Sequence, residues 1–223
     1  MASLTIENYV KGIYLIGAAQ DNRLAATGQL AEALQVSPGT VTSMLKTLNE
    51  SGLAEYIPYE GARLTEAGRS LALRVLRRHR LIELFLQKTL NLTWDEVHEE
   101  AENMEHAVSD RLIDRIDAFL GYPASDPHGD PIPKADGSVA SSTTERLAQL
   151  GVGQRFRIAR VLDQSPEFLR YLSQCGLELG AEGCVAANQA TAGIITLDVG
   201  GTTTTLSREI AERLLVTPPA RPA

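Results

Sequence analysis

The sequence predicts a mainly α-helical chain followed by a small β domain, with a winged helix-turn-helix at the front. Three observations carry that expectation. Apolar residues recur at helical spacing through nearly the whole first half. A break follows from Gly121 to about Arg146, where four of the ten prolines gather and large apolar residues are few. Beyond it, short β-branched runs (RFRIARV, GCVAANQ, GIITLDV, TTTTLS) replace the helical pattern. With 43% hydrophobic residues in 223, the chain can build a core, which excludes wholesale disorder. Cys175 and Cys184 are too few for a disulfide scaffold or a four-thiolate metal site, and read as small core or edge residues. No apolar run approaches the ~20 residues of a bilayer span. The start, MASLTIENYVKG, carries no export leader, so a cytoplasmic, reducing location is expected, without a membrane partner.

The elements follow in order. Ile6, Tyr9, Val10, Ile13, Tyr14 and Ile16 form one stripe of a first helix. A short helix at about 28–34 precedes SPGTVTSMLKTLNESGL, where Ser37 caps a helix that begins at Pro38. Val41, Met44, Leu45 and Leu48 are its buried stripe, and Gly52 its terminator. LAEYIPY and ARLT, turning at Glu60-Gly61, make a hairpin. Two helices, a tight turn and a hairpin describe a winged helix-turn-helix. Thr65 opens a long helix to about Leu90. Thr93 and Glu96 then form a capping box, with Leu92 and Val97 as its hydrophobic staple, which sets a helix start at Trp94. A further helix follows Ser109 and stops at Gly121. Past the break, SREIAERLLV closes the β-rich part as a short helix, and TPPARPA trails off.

The charge is uneven. Between Asp95 and Asp117 nine acids face two bases, an excess equal to the whole net charge of −7, so the acidity is one local feature. Three of the four histidines fall in it or near it. His79 and Glu83 are one turn apart on the long helix, and His98, Glu102, Glu105 and His106 follow at steps of four, three and one along the capped helix. Stacked carboxylates at the edge of an apolar stripe repel one another and resist desolvation, and a divalent cation relieves both. Nitrogen and oxygen donors without a thiolate suit Mn2+ or Fe2+, with Zn2+, Co2+ or Cd2+ able to bind in vitro. His128 lies in the Pro/Gly-rich stretch and receives no role. On the second helix of the motif, Ser37, Pro38, Gly39, Thr40, Thr42 and Ser43 are the side chains offered to base edges, with Lys46 and the wing's Arg63 for phosphates.

These residues resemble a known family, the diphtheria-toxin-repressor-like, metal-dependent transcriptional regulators. The matching stretches are IENYVKGIY, SPGTVTSML, GLAEYIPYEGARLTEAGR, RRHRLIELFL, VHEEAENMEH and DPHGDPIP, covering residues 4 to about 133, with looser similarity to the family's SH3-like domain beyond. The resemblance implies a homodimer on palindromic double-stranded operator DNA. With a winged helix-turn-helix DNA-binding domain at 1–72, it also implies a helical dimerisation and metal-binding domain at 73–140 and a C-terminal SH3-like β-barrel at 147–217. By position it assigns a primary regulatory site to Glu102, Glu105, His106 and Asn8, and an ancillary site to His79, Glu83 and His98. Gln164 and Glu167 are its nominees from the SH3-like domain. Two departures bear on the metal. Glu102 stands where iron-type members carry a sulfur ligand and manganese-type members a carboxylate, which favours Mn2+ over Fe2+. Lys11 replaces a glutamate that bridges metals in the manganese type, and this points to two separated single-ion sites.

Two other readings compete with a metal-dependent repressor of metal-homeostasis genes. His98-Glu99 opens like a zincin motif, but Glu102 takes the place of the second histidine, so the metalloenzyme reading fails its own pattern and no small-molecule substrate is expected. A purely structural metal under constitutive DNA binding would make chelation unfold the protein.

Overall fold

The computed structural model describes residues 4–20, 23–140 and 143–219. The chain divides into two compact units. One comprises Met1–His79, Met104–Asp110 and Pro133–Val139, the other Arg80–Asn103, Arg111–Ile132 and Ala140–Ala223.

The first unit opens with helix α1 (Leu4–Ala19), whose Tyr9, Val10 and Ile13 face inward. Helices α2 (Thr27–Ala33) and α3 (Pro38–Glu50) follow. Gln29 reaches back to accept from the backbone N–H of Ala26 at the head of α2. Ser37 caps α3 by accepting from the Thr40 N–H at 3.2 Å, as the Ser-Pro pair predicts. Between the two helices Gln35 takes a left-handed conformation, φ 52°, that makes the turn tight. Strands β1 (Ala54–Ile57) and β2 (Gly61–Leu64) pair antiparallel as the wing, with fully exposed Tyr59 at the tip. Ala25 bridges to Ala62 as a third rung. Helix α4 (Glu66–Leu90) then begins, and its Leu71 and Ala72 close a core with Leu30, Val41, Leu45 and Leu48.

The second unit holds α5 (Val97–Met104, all but its last residue), α6 (Asp110–Phe119, all but its first residue) and a six-stranded antiparallel sheet. Its strands are β3 (Glu145–Arg146), β4 (Arg155–Val161), β5 (Glu182–Gln189), β6 (Ile194–Val199), β7 (Thr202–Ser207) and β8 (Leu214–Thr217), in the order β3-β8-β4-β5-β6-β7. Helices α7 (Pro166–Gln174) and α8 (Arg208–Glu212) pack with it around Phe156, Ile158, Leu169, Leu172, Leu197 and Leu206. Among the described residues no pairing joins β3 to β7, so the sheet is an antiparallel series and a closed barrel is not shown.

Four expectations are corrected. The capping box forms, with Glu96 accepting from the Thr93 N–H at 2.9 Å, but residues 94–96 make only a turn and α5 starts at Val97. SREIAERLLV is not one helix. It stops at Glu212, and Leu214 and Val216 alternate inward as the strand β8. VLDQSPEFLRYL contains α7, a helix the sequence reading passed over. The Pro/Gly-rich stretch is no loose linker, because Asp126, His128 and Ile132 are buried within it. Cys175 and Cys184 are free and half-buried, as expected of small core or edge residues. The tail from residue 220 lies outside the described residues.

Candidate metal centres and DNA-facing surface

In the first unit the chemistry gathers around Glu105, which is fully buried. Helix α5 ends at Met104, so Glu105 and His106 sit in the turn after it and not on the helix that carries His98 and Glu102. Lys11 of α1 donates to Glu105 Oε1 at 2.6 Å, and His79 Nδ1 donates to Oε2 at 2.6 Å. Burial pushes the Glu105 carboxyl up, but the hydrogen bond from His79 and the Lys11 ammonium outweigh it and hold the group below its ordinary value. His106 Nδ1 donates to Glu7 Oε2 at 2.6 Å. That bond fixes the tautomer and leaves Nε2 with a lone pair, the arrangement in which a carboxylate orients a metal-ligating imidazole. Nε2 lies 3.1 Å from Glu105 Oε1 and makes no hydrogen bond among the described residues. Asn8 Oδ1 is likewise buried without a hydrogen-bond partner. His106 Nε2 against the buried Glu105 carboxylate, with the buried Asn8 Oδ1 on α1, offers donor types that fit a hard divalent cation. Of the α1 residues, Glu7 was missed in the sequence. It is one position from the nominated Asn8, and its carboxylate bonds the His106 ring through Nδ1.

The second unit holds another group. Glu83 of α4, Asp126 and His128 offer one ligand atom each, all within 4.8 Å of one another, and all three are buried. His128 Nε2 donates to the Trp94 carbonyl at 2.7 Å, and Nδ1 faces Glu83 Oε2 at 3.7 Å and Asp126 Oδ1 at 3.9 Å with no hydrogen bond of its own. Burial, Glu83 and Asp130 together push the Asp126 carboxyl up to about 7. Burial also works against the His128 imidazolium, but Glu83 and Asp126 prevail and raise it. A proton or a divalent cation neutralises the same pair of carboxylates. The turn that delivers His128 is tied from below, since Asp126 Oδ1 accepts from the His128 and Asp130 N–H groups.

The remaining nominees spread around this group. His98 Nδ1 stands 3.3 Å from Glu83 Oε1, and its Nε2 stands 3.8 Å from Glu102 Oε1. Gln164 donates to Asp130 Oδ2 at 2.9 Å, and a cleft of about 660 Å³ is lined by both Gln164 and His98. Glu167 is exposed in the first turn of α7. His128 and Asp126 are the residues that spacing could not find, because they come from an irregular turn and meet α4 only after folding.

The DNA-facing candidates are in place on α3 and the wing. Ser37, Pro38, Gly39, Thr40, Ser43 and Lys46 are exposed and Thr42 half-buried. Thr42 donates its hydroxyl to the Pro38 carbonyl at 3.0 Å. Arg63 pairs with Glu55 at 2.7 Å.

Comparison with known proteins decides the family. Residues 1–62 match the model of the iron dependent repressor N-terminal DNA binding domain. Residues 65–134 match that of its metal binding and dimerisation domain, and 145–218 that of the FeoA domain. An HTH-type transcriptional regulator of Methanocaldococcus jannaschii is 39% identical over 53% of this chain and 94% of its own length. The diphtheria toxin repressor of Corynebacterium glutamicum is 27% identical over 95% of each chain. The chain belongs to the iron-dependent repressor family. Its members are metal-dependent transcriptional repressors and not enzymes. Among solved structures of such repressors, a manganese-dependent transcriptional repressor in complex with manganese superposes with a TM-score of 0.86 at 40% identity, covering 96% of this chain and 99% of that one. ScaR with bound Zn2+ superposes at 0.78 with 33% identity, over 96% and 99% of the two chains. Within the repressor family, the winged helix-turn-helix described above is the DNA-binding part.

Proposed function

We propose that this repressor responds to Mn2+, with Fe2+ as the alternative ion, and binds a palindromic operator as a homodimer in the cytoplasm to control metal-homeostasis genes. The observation that carries the reading is His106 Nε2, buried 3.1 Å from Glu105 Oε1 without a hydrogen bond, together with Asn8 Oδ1, which is buried without one on α1. They belong to the same unit as α3 and the wing. Glu105, His106 and Asn8, with Glu102, are the proposed first site, and Glu83, Asp126 and His128, with His79 and His98 nearby in sequence on α4 and α5, the proposed second. Gln164 is the assigned outer contact of that second site through Asp130, and Glu167 completes the nominees there. A donor set of carboxylates, amide oxygen and imidazole suits a hard ion better than a soft one. The 40% identical neighbour solved with manganese supports the same choice.

When bound, the ion supplies positive charge where Glu105 and its neighbours otherwise depend on protein cations. Asn8 then links α1 to the turn at 104–106, and Glu7 keeps His106 aimed. Fixing α1 in this way biases the unit toward the state in which two α3 helices meet successive major grooves. Ser37, Gly39, Thr40, Thr42 and Ser43 face base edges, Pro38 starts the helix, and Lys46 and Arg63 take phosphates. Homodimerisation is assigned to the 73–140 domain, between a DNA-binding domain at 1–72 and an SH3-like domain at 147–217. Leu112 and Phe119 of α6, two turns apart and exposed, with Tyr122 beyond, form an apolar face there.

The test is to titrate Mn2+, anaerobic Fe2+ and Zn2+ into the chelated protein while following binding to its own upstream DNA at fixed salt. Affinity should rise steeply with Mn2+, and Glu102→Ala should abolish the rise. Equal DNA binding with and without chelator would overturn the metal switch and leave a structural ion. No helix among the described residues is long and apolar enough to cross a membrane.

A further inference from the structure

Lys11 holds the oxygen of Glu105 that the first site needs. Its ammonium is 2.6 Å from Oε1, and that same oxygen is the one facing His106 Nε2 at 3.1 Å. The other oxygen is taken by His79. An ordinary structural ion pair would satisfy its surroundings. Here His106 Nε2 faces the same oxygen without a hydrogen bond, and Asn8 Oδ1, one turn from Lys11 on α1, is buried without one. We propose that Lys11 is a built-in competitor of the divalent cation: its ammonium neutralises Glu105 in the metal-free protein and withdraws as the ion binds. The contact sets the metal concentration at which the first site fills. This rests on the reading of Glu105 and His106 as ligands.

Three physical points support it. Glu105 is fully buried and Lys11 nearly so, so a divalent ion and an ammonium on one oxygen repel each other with little solvent screening. Lysine suits the role, being a point charge on a flexible four-carbon stem that can leave by rotation alone, whereas an arginine fork is held by shape. And Lys11 sits on α1 one turn from Glu7 and Asn8, so its departure and the engagement of Asn8 belong to the same helix. Ion binding and release of α1 from one contact to another are thus a single exchange.

The experiment is Mn2+ binding to the full chain in a chelator-buffered calorimetric titration, comparing the natural sequence with Lys11→Gln, Lys11→Met and Glu105→Gln. The two Lys11 variants should bind Mn2+ at least tenfold tighter at the Glu105-dependent site, with the number of ions per chain unchanged. Thermal denaturation supplies a second reading. Without metal the Lys11 variants should melt lower than the natural protein, and added Mn2+ should raise them further than it raises the natural protein. Unchanged or weaker Mn2+ affinity in Lys11→Gln would overturn the proposal, as would an extra ion per chain at unaltered first-site affinity. If the natural protein shows no Mn2+ binding that Glu105→Gln removes, the site assignment itself fails, and this is read without reference to Lys11.

Discussion

Glu105 is ionised in a place that water does not reach, and the Lys11 ammonium and the His79 ring bonded to it make that tolerable. Removing the carboxylate therefore takes one buried partner from Lys11 and one from His79. Glu105→Ala should destabilise the metal-free protein by about 3–5 kcal/mol in urea unfolding, the usual cost of breaking a buried pair from one side. A surface pair behaves differently. Arg78 holds Asp110 through Nη2 at 2.7 Å and Nε at 3.2 Å, and these hydrogen bonds keep the Asp110 carboxyl below its ordinary 3.8 despite some burial. With its pKa depressed on folding, Asp110 adds stability above pH 3.8, and the contribution disappears as pH falls through the lower folded value. Since the Asp110 side chain is largely exposed, Asp110→Asn should cost no more than about 1 kcal/mol near neutrality. Unfolding midpoints of the two proteins should converge once the pH falls below that folded value. Which residues meet was only partly legible at this scale. His79, Glu105 and His106 stand out by residue type and spacing, while Glu7 and His128 do not. A periodic pattern reports neighbours along one helix, and these two acquire their partners across the chain.

Elements were the most legible level, because their signals are local. Ser37-Pro38, the Thr93–Glu96 box and the alternating runs of the sheet each specify a backbone state within a few residues. Failures came where local signals conflict. LLVT after a helix carries as much helical as strand preference, and only a free edge between β3 and β4 decides for β8. DPHGDPIP looks like solvent-exposed chain because it is poor in apolar side chains. It is buried through hydrogen bonds, with Asp126 Oδ1 gathering two backbone N–H groups and Arg80 donating to the Pro131 carbonyl at 2.7 Å. Gly68 in the first turn of α4 shows a local rule overridden. Helix propensity favours Ala there by about 1 kcal/mol. A Cβ at that position, however, would overlap the Leu53 carbonyl oxygen, whose backbone has no room to yield beside the wing. Gly68→Ala should lower stability by about 1–3 kcal/mol, against the propensity scale. Chemical denaturation reads the sign directly.

At the scale of the whole molecule, assembly and charge decide function. The exposed Leu112 and Phe119 on α6, with Phe85 packed edge-on against Phe119 at 6.1 Å, make an apolar face more suited to a partner chain than to water. Phe119→Asp should shift sedimentation from dimer toward monomer at micromolar protein and weaken operator binding with it, while leaving metal-free secondary structure by circular dichroism unchanged. The nine acids clustered between Asp95 and Asp117 would otherwise set the chain against a polyanion, so ion loading and DNA affinity are coupled through charge as well as through shape. One arrangement near the second group has a practical use. Trp94, the single tryptophan of the chain, stacks on His128 with ring centroids 6.3 Å apart and donates its indole N–H to Ser173. Its emission is therefore a native optical reporter of that group, with no label to attach. Paramagnetic Mn2+ arriving beside His128 should dim it, so a fluorescence titration follows the filling of that group.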